Sequence, residues 1–80
     1  QPDGAEGQFY LGWAFAEKKD HAEAIRAYTE AIRIDPKDPA AFLNRGHCYL
    51  AEKNTRRALE DYTEAIRLDP SLATAYMRRE

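Results

Sequence analysis

Hydrophobic and small residues recur along the chain with the spacing of amphipathic helices. In the segment that begins at Ala24, such residues fall at i, i+4, i+7 and i+8, and in the one that begins at Leu11 they fall at i, i+1 and i+4. Either spacing places these side chains on one face of a helix. We therefore predict five helices, near residues 5–18, 21–34, 39–52, 55–68 and 72–80.

Polar residues and prolines mark the predicted helix ends. Asp20 and Glu23 have the spacing of a capping box, and Asp38 stands before Pro39 as a candidate N-cap followed by a first-turn proline. The connections between helices are only a few residues long. The two amphipathic patterns of each unit predict antiparallel pairs of helices.

The chain repeats itself. The nonapeptide YTEAIRIDP begins at Tyr28 and YTEAIRLDP begins at Tyr62, 34 residues later. Aligning 5–38 with 39–72 also brings Gly12 onto Gly46, where a larger side chain would hold two helices apart. We predict one domain, with a flexible N-terminus at 1–4, a first repeat at 5–38, a second at 39–72, and a truncated third repeat or capping helix at 73–80.

These repeats resemble the tetratricopeptide repeat family, whose unit is a 34-residue helix-turn-helix. The resemblance is carried by YLGWAF, AIRAYTEAIRIDP, NRGHCYL and ALEDYTEAIRLDP. It implies an all-α fold, a right-handed superhelical stack of antiparallel helix pairs of the α-solenoid type. In such a stack the first helices of successive repeats line a concave groove.

Two features depart from the family pattern. Lys19 and Lys53 stand at the turn where the family commonly has glycine, and we predict that both adopt a left-handed backbone conformation. The leucine position of the first helix is kept at Leu11 but is occupied by Arg45 and Arg79 in the later units. We expect an arginine there to cover apolar surface with its stem while its charge reaches water.

Composition and charge make several function classes improbable. The net charge of −2 provides no broad attraction to nucleic acid or to a membrane surface. His47 and Cys48 are adjacent on a helix and point about 100° apart, so adjacency does not make them a base and a nucleophile. We expect Cys48 to be a small buried residue and His21 to be solvated or capping. No catalysis, cofactor or metal site is expected, and the lack of a signal or spanning segment favours a cytoplasmic protein.

The resemblance assigns the candidate site. The groove residues that it implies are Phe9, Tyr10, Trp13, Leu43, Asn44, His47, Met77 and Arg78, with Glu6, Leu50 and Thr74 beside them. Because Leu11, Gly12 and Phe15 are expected to face inward, we predict that Trp13 is partly exposed on the concave side. Phe9, Tyr10, Trp13, Leu43 and Met77 would supply apolar contacts. Asn44 would bond to a peptide backbone, and Arg78 would pair with an acidic group.

Two functions remain open. The first is a non-catalytic module that binds a protein or peptide segment through an apolar or aromatic anchor. The second is a structural module that joins copies of the chain into a homo-oligomer through open repeat ends or the groove. A third possibility, gripping the terminal carboxylate of heat-shock chaperones, fits poorly. That class within the family places lysine and asparagine where this chain has Phe9 and Trp13, although Asn44 and Arg78 are retained.

Overall fold

The computed structural model describes residues 4–73, and this part of the chain is helical, without strands. Its helices are α1 (Ala5–Glu17), α2 (His21–Ile34), α3 (Pro39–Ala51) and α4 (Thr55–Leu68). Residues 71–73 are helical as well. The four predicted helices are confirmed, with every end within one residue of its predicted position. Residues 1–3 and 74–80, which include most of the predicted fifth helix, lie outside the described residues.

The helices pack in the order of the chain. α1 packs on α2, α3 packs on α4, and α2 also packs on α3, with a smaller contact between α1 and α3. The predicted all-α stack of helix pairs is confirmed. α2 therefore lies between its own partner and the first helix of the next pair.

Two glycines allow the paired helices to approach closely. A Cβ atom added to Gly12 would lie 2.9 Å from the ring of Tyr28, and one added to Gly46 would lie 2.8 Å from the ring of Tyr62. Tyr28 is only 1% exposed. The predicted role of these glycines in close packing is therefore confirmed.

The turn after α1 adopts a left-handed cap at a lysine. Lys19 has φ of 67°, its N–H donates to the carbonyl of Ala16 at 2.9 Å, and the N–H of Asp20 donates to the carbonyl of Phe15 at 2.9 Å. This is the hydrogen-bond pattern of a Schellman motif, which usually has glycine at the left-handed position. Lys53 has φ of 68° in the equivalent turn. The predicted left-handed conformations are confirmed.

The helix starts are only partly as predicted. The Asp38 side chain accepts a hydrogen bond from the N–H of Ala40 at 3.0 Å, as expected of an N-cap. Asp20 precedes α2 without a side-chain capping bond. The Glu23 carboxylate does not complete a capping box, and its Oε1 atom lies 3.6 Å from Nε of Arg26. The capping box predicted from the spacing of Asp20 and Glu23 is therefore wrong.

Leu11 does not face the interior. The buried cluster consists of Ala24, Tyr28 and Cys48, with Phe9, Phe15, Ala16 and Ile25 packed against it. Leu11 is 46% exposed, so the predicted inward orientation of this residue is wrong. α1 turns Ala5 and Gly12 toward its partners, and Leu11 lies about 100° around the helix from Gly12.

The expectation that the charge of Arg45 reaches water is also wrong. Its guanidinium forms two 2.8 Å hydrogen bonds to Asp61, and the side chains are 17% and 6% exposed. It also donates to the hydroxyl of Thr29 on α2 at 3.1 Å. Arg45 thus joins α3 to its own partner helix and to the preceding repeat.

Candidate functional site

Four residues of α1 form a single exposed strip, which we call the α1 strip. Glu6, Tyr10, Trp13 and Glu17 are spaced by four, three and four residues, so they lie on one face of the helix. Tyr10 is 58% exposed and Trp13 is 52% exposed, and both carboxylates are exposed. The predicted partial exposure of Trp13 is confirmed.

Phe9 supports this strip from the core side. Its ring meets the buried Tyr28 ring edge-on, with the centroids 5.6 Å apart, and the Tyr10 ring at 5.4 Å. Phe9 is half-buried. This predicted groove residue therefore contributes to packing as well as to the surface.

A cavity of about 180 Å³ lies between α1, α2 and α3. Its lining residues are Trp13, Ala16, Glu17, His21, Tyr28, Asn44, His47 and Cys48. Three of the predicted groove residues, Trp13, Asn44 and His47, thus meet at one place. We call this cavity, the α1 strip and the second cavity at the other end of that strip, described below, the groove.

Polar contacts hold the α3 side of the groove in position. The Asn44 amide lies beside the Tyr28 hydroxyl of the preceding repeat and partly offsets the rise in the pKa of Tyr28. His47 Nδ1 lies 2.8 Å from the Tyr62 hydroxyl, and the two rings meet edge-on. The orientation of His47 is therefore defined by its contacts with Tyr62.

Burial controls the titration of the groove's deeper groups. It raises the pKa of Tyr28 to about 12, with a further increase from an electrostatic interaction with Cys48. It also raises the pKa of the Cys48 thiol, with a smaller effect from Glu52. The predicted burial of Cys48 is confirmed. A raised pKa keeps the thiol protonated at neutral pH, which is the opposite of an activated nucleophile.

His21 is placed differently from the prediction. It is half-buried, and its Nδ1 atom is buried without a hydrogen-bond partner within the described part of the chain. The expectation of a solvated or capping side chain is therefore wrong. His21 lines the cavity from the start of α2.

A second cavity, of about 320 Å³, borders the other end of the α1 strip. Its lining residues are Ala5, Glu6, Phe9, Tyr10, Ala31, Asp35, Asp38 and Ala40. The sequence had not indicated Asp35 or Asp38 as groove residues, because they belong to the connection between α2 and α3. Only the packing of that connection beside α1 brings them to the groove.

The other predicted site residues are distributed as follows. Leu43 is half-buried and lines neither cavity. Met77 and Arg78 lie outside the described residues. Among residues 4–73, no group of three or more His, Cys, Asp or Glu residues has the arrangement needed for a metal ion. No helix in that same part is long and apolar enough to span a bilayer.

A separate surface lies on α4. A shallow cavity of about 660 Å³ is lined by Thr55, Arg56, Leu59, Glu60, Thr63 and Glu64. Leu59 is 59% exposed. It aligns with Ile25 of the first repeat, which packs against the core. We call this surface the α4 face.

Part of the chain is similar in sequence to segments of two larger plant proteins. The chain is 49% identical over 35 residues to Hsp70-Hsp90 organizing protein 2 of Arabidopsis thaliana, covering 44% of this chain and 6% of that protein. It is 44% identical over 36 residues to U-box domain-containing protein 70 of Oryza sativa subsp. japonica, covering 45% and 4% respectively. The chain thus spans a small fraction of the length of either relative.

Family models match the repeats directly. A TPR repeat model matches residues 12–53, more than half of the chain, and a tetratricopeptide repeat model matches residues 39–72. The matched segments contain the close-packed glycines and the lysine turns described above. The chain therefore belongs to the tetratricopeptide repeat family, whose repeats form protein–protein interaction modules.

Proposed function

We propose that this chain is a non-catalytic module that holds a peptide segment in its groove, with an apolar or aromatic side chain as anchor. The observation that carries the proposal is the position of Trp13. Half of this large side chain is exposed beside a cavity that Asn44 and His47 also line. Aromatic residues next to a pocket are the residue types that dominate binding energy at interfaces.

Different groove residues would make different contacts with the peptide. Tyr10 and Trp13 offer broad apolar surfaces, with Phe9 fixing the strip from beneath. The Asn44 amide has an acceptor oxygen and two donor hydrogens, so beside its contact with Tyr28 it has capacity to bond a peptide backbone. Residues 5–38 and 39–72 would act as two repeats of one domain. We also predict a cytoplasmic location.

The name of the Arabidopsis relative refers to the chaperones Hsp70 and Hsp90. We do not extend that partner choice to this chain. Phe9 and Trp13 supply no positive charge at positions where the carboxylate-gripping class has lysine and asparagine. Without those groups a terminal carboxylate would lose much of its charge-assisted hydrogen bonding.

Peptide capture tests the proposal. The 80-residue chain is immobilised and exposed to a random library of decapeptides with blocked termini, and the captured peptides are sequenced. Trp13→Ala is the test variant, and Leu59→Ala is its control because Leu59 has a similar exposure on the α4 face. We expect Trp13→Ala to weaken the best peptide by at least about tenfold and Leu59→Ala to leave it unchanged. No capture, or loss of binding in the control alone, would overturn the proposal.

A second candidate function is self-association through the α4 face. It is favoured by Leu59, which is exposed on α4 although the equivalent Ile25 packs against the core. A second copy placed on this face would cover Leu59, whose equivalent Ile25 is packed against the core. Light scattering over a dilution series tests this: an apparent mass that rises with concentration in the wild type but not in Leu59→Glu would support it. A constant monomer mass would exclude it.

A further inference from the structure

The groove carries negative charge next to its exposed aromatic rings. Glu6 and Glu17 lie at the two ends of the α1 strip, on either side of Tyr10 and Trp13. Asp35 and Asp38 add two carboxylates to the cavity beside Glu6 and Tyr10. Within the described part of the chain, neither groove cavity is lined by a lysine or an arginine.

Five of the six arginines of the described residues form ion pairs elsewhere, and the sixth, Arg57, lies 5.9 Å from the centroid of the Tyr49 ring. The ion pairs join Arg26 to Glu23, Arg33 to Glu30, Arg45 to Asp61, Arg56 to Glu60 and Arg67 to Glu64. None of these ion pairs, among residues 4–73, includes Glu6 or Glu17. The charge of Glu17 also contributes to the raised pKa of Tyr28, so its field reaches into the cavity. The α1 strip therefore keeps its negative charge.

The aromatic rings and the size of the cavity determine what kind of cation fits. The carboxylates do not form a cluster that could hold a metal ion within the described residues. A space of about 320 Å³ lined by two aromatic rings suits a larger organic cation with an apolar stem. Lysine and arginine side chains have this character, because their methylene stems cover apolar surface and their charged ends interact with ring faces.

We infer that the groove selects a basic peptide, in which a lysine or arginine side chain lies along the α1 strip with its charge among Glu6, Asp35 and Asp38. This inference rests on the proposed peptide-binding function and specifies the partner's chemistry. The apolar anchor occupies the cavity beside Trp13, and the basic residue lies next to it. A carboxylate-bearing partner is repelled by the same groups.

The captured decapeptides test the inference by their composition. We expect lysine and arginine to be enriched over the input library and aspartate and glutamate to be depleted. In the tightest peptide, replacing the enriched basic residue by a neutral analogue of similar length, citrulline for arginine or norleucine for lysine, should weaken binding about five- to tenfold. That range combines one cation–aromatic contact with partly screened charge attraction. Raising the salt concentration should weaken the basic peptide more than its neutral analogue.

A pair of charge-matched variants locates the effect. Glu6→Gln with Glu17→Gln removes two carboxylates from the α1 strip, whereas Glu60→Gln with Glu64→Gln removes two from the α4 face. We expect the first double variant to reduce the preference for the basic peptide about fivefold and the second to leave it within about twofold of the wild type. The neutral-analogue comparison on the unmodified chain gives an independent result that needs no variant to fold.

The outcomes separate the inference from the proposed function. Capture of peptides at the Trp13 side without enrichment of basic residues, or with enrichment of acidic ones, overturns the inference and leaves the peptide-binding function standing. Equal binding of the basic peptide and its neutral analogue overturns the inference in the same way. Failure to capture any peptide overturns both.

Discussion

The two glycines of α1 that lie five residues apart differ in what a methyl group would meet. An added Cβ atom has no neighbour within 4 Å at Gly7, but at Gly12 it lies 2.9 to 3.1 Å from three ring atoms of Tyr28. Alanine in place of glycine favours a helix by about 1 kcal/mol. At Gly12 this gain competes with the displacement of a buried ring.

We therefore predict opposite effects of one substitution at two positions. Gly7→Ala should raise the free energy of unfolding by up to about 1 kcal/mol, and Gly12→Ala should lower it by about 1 to 2 kcal/mol, since overpacking outweighs helix propensity there. Urea unfolding followed by circular dichroism measures both. Stabilisation by Gly12→Ala would show that the ring moves freely and that close packing at this position is not required.

Tyr28 gives the protein a specific sensitivity to alkaline pH. Its pKa is raised from 10.0 to about 12 in the folded state, so the folded state holds this proton more tightly than the unfolded one. The contribution of Tyr28 is fully present below about pH 10 and is lost as the pH rises through about 12. A shift of this size corresponds to about 2 to 3 kcal/mol.

The measurement is the free energy of unfolding at pH 9 and pH 12 for the wild type and for Tyr28→Phe. We expect the wild type to lose about 2 kcal/mol more than the variant over this interval, because phenylalanine has no proton to release. Equal losses would mean that Tyr28 titrates near its ordinary pKa and that its hydroxyl is not sheltered by the helices around it.

At the scale of helices, the two repeats differ in how the paired helices contact each other. The second repeat has the Arg45–Asp61 ion pair between α3 and α4. The equivalent positions of the first repeat hold Leu11 and Ala27. The pair is largely buried and its geometry is bidentate. Removing one partner from such a pair leaves an uncompensated charge, whereas replacing both with apolar residues is often neutral.

The first repeat supplies the matched replacement. We predict that Asp61→Ala alone lowers the free energy of unfolding by about 3 to 5 kcal/mol, and that Arg45→Leu with Asp61→Ala is within about 2 kcal/mol of the wild type. Thermal or urea unfolding of the two single variants and the double variant forms the cycle. Additive losses would contradict the interpretation that the two charges are a single unit.

The helices and turns could be predicted from the sequence, but some of the contacts between helices could not. Periodicity and repeat alignment predicted the four helices because helices depend on local backbone preferences, and the resemblance to the repeat family predicted both lysine turns. They did not predict the buried state of Arg45, although the joint change of Leu11 and Ala27 between repeats was a signal. Asp35 and Asp38 gave no such signal, since only tertiary packing brings their connection beside α1.

The candidate site was predictable to a similar degree. Trp13, Asn44 and His47 were assigned from repeat positions, and they meet at one cavity. Leu43 was assigned in the same way but lines neither cavity. A repeat position fixes the direction of a side chain from its helix, whereas cavity lining also depends on how much of its surface the neighbouring helices cover.

At the scale of the whole molecule, the two candidate surfaces are carried by different helices. The groove is bordered by α1 and α3, and the α4 face lies on α4. A peptide bound in the groove leaves the α4 face accessible, so the two candidate functions are experimentally separable. We propose that the groove is the surface that binds the peptide.

Backbone amide chemical shifts test that claim most directly, recorded for the 80-residue chain with and without a saturating amount of the tightest captured peptide. We predict that the largest shift changes fall on α1 from Tyr10 to Glu17 and on α3 from Asn44 to Cys48, with α4 from Leu59 to Thr63 little affected. Shift changes concentrated on α4, with Trp13 and Asn44 unmoved, would contradict the account.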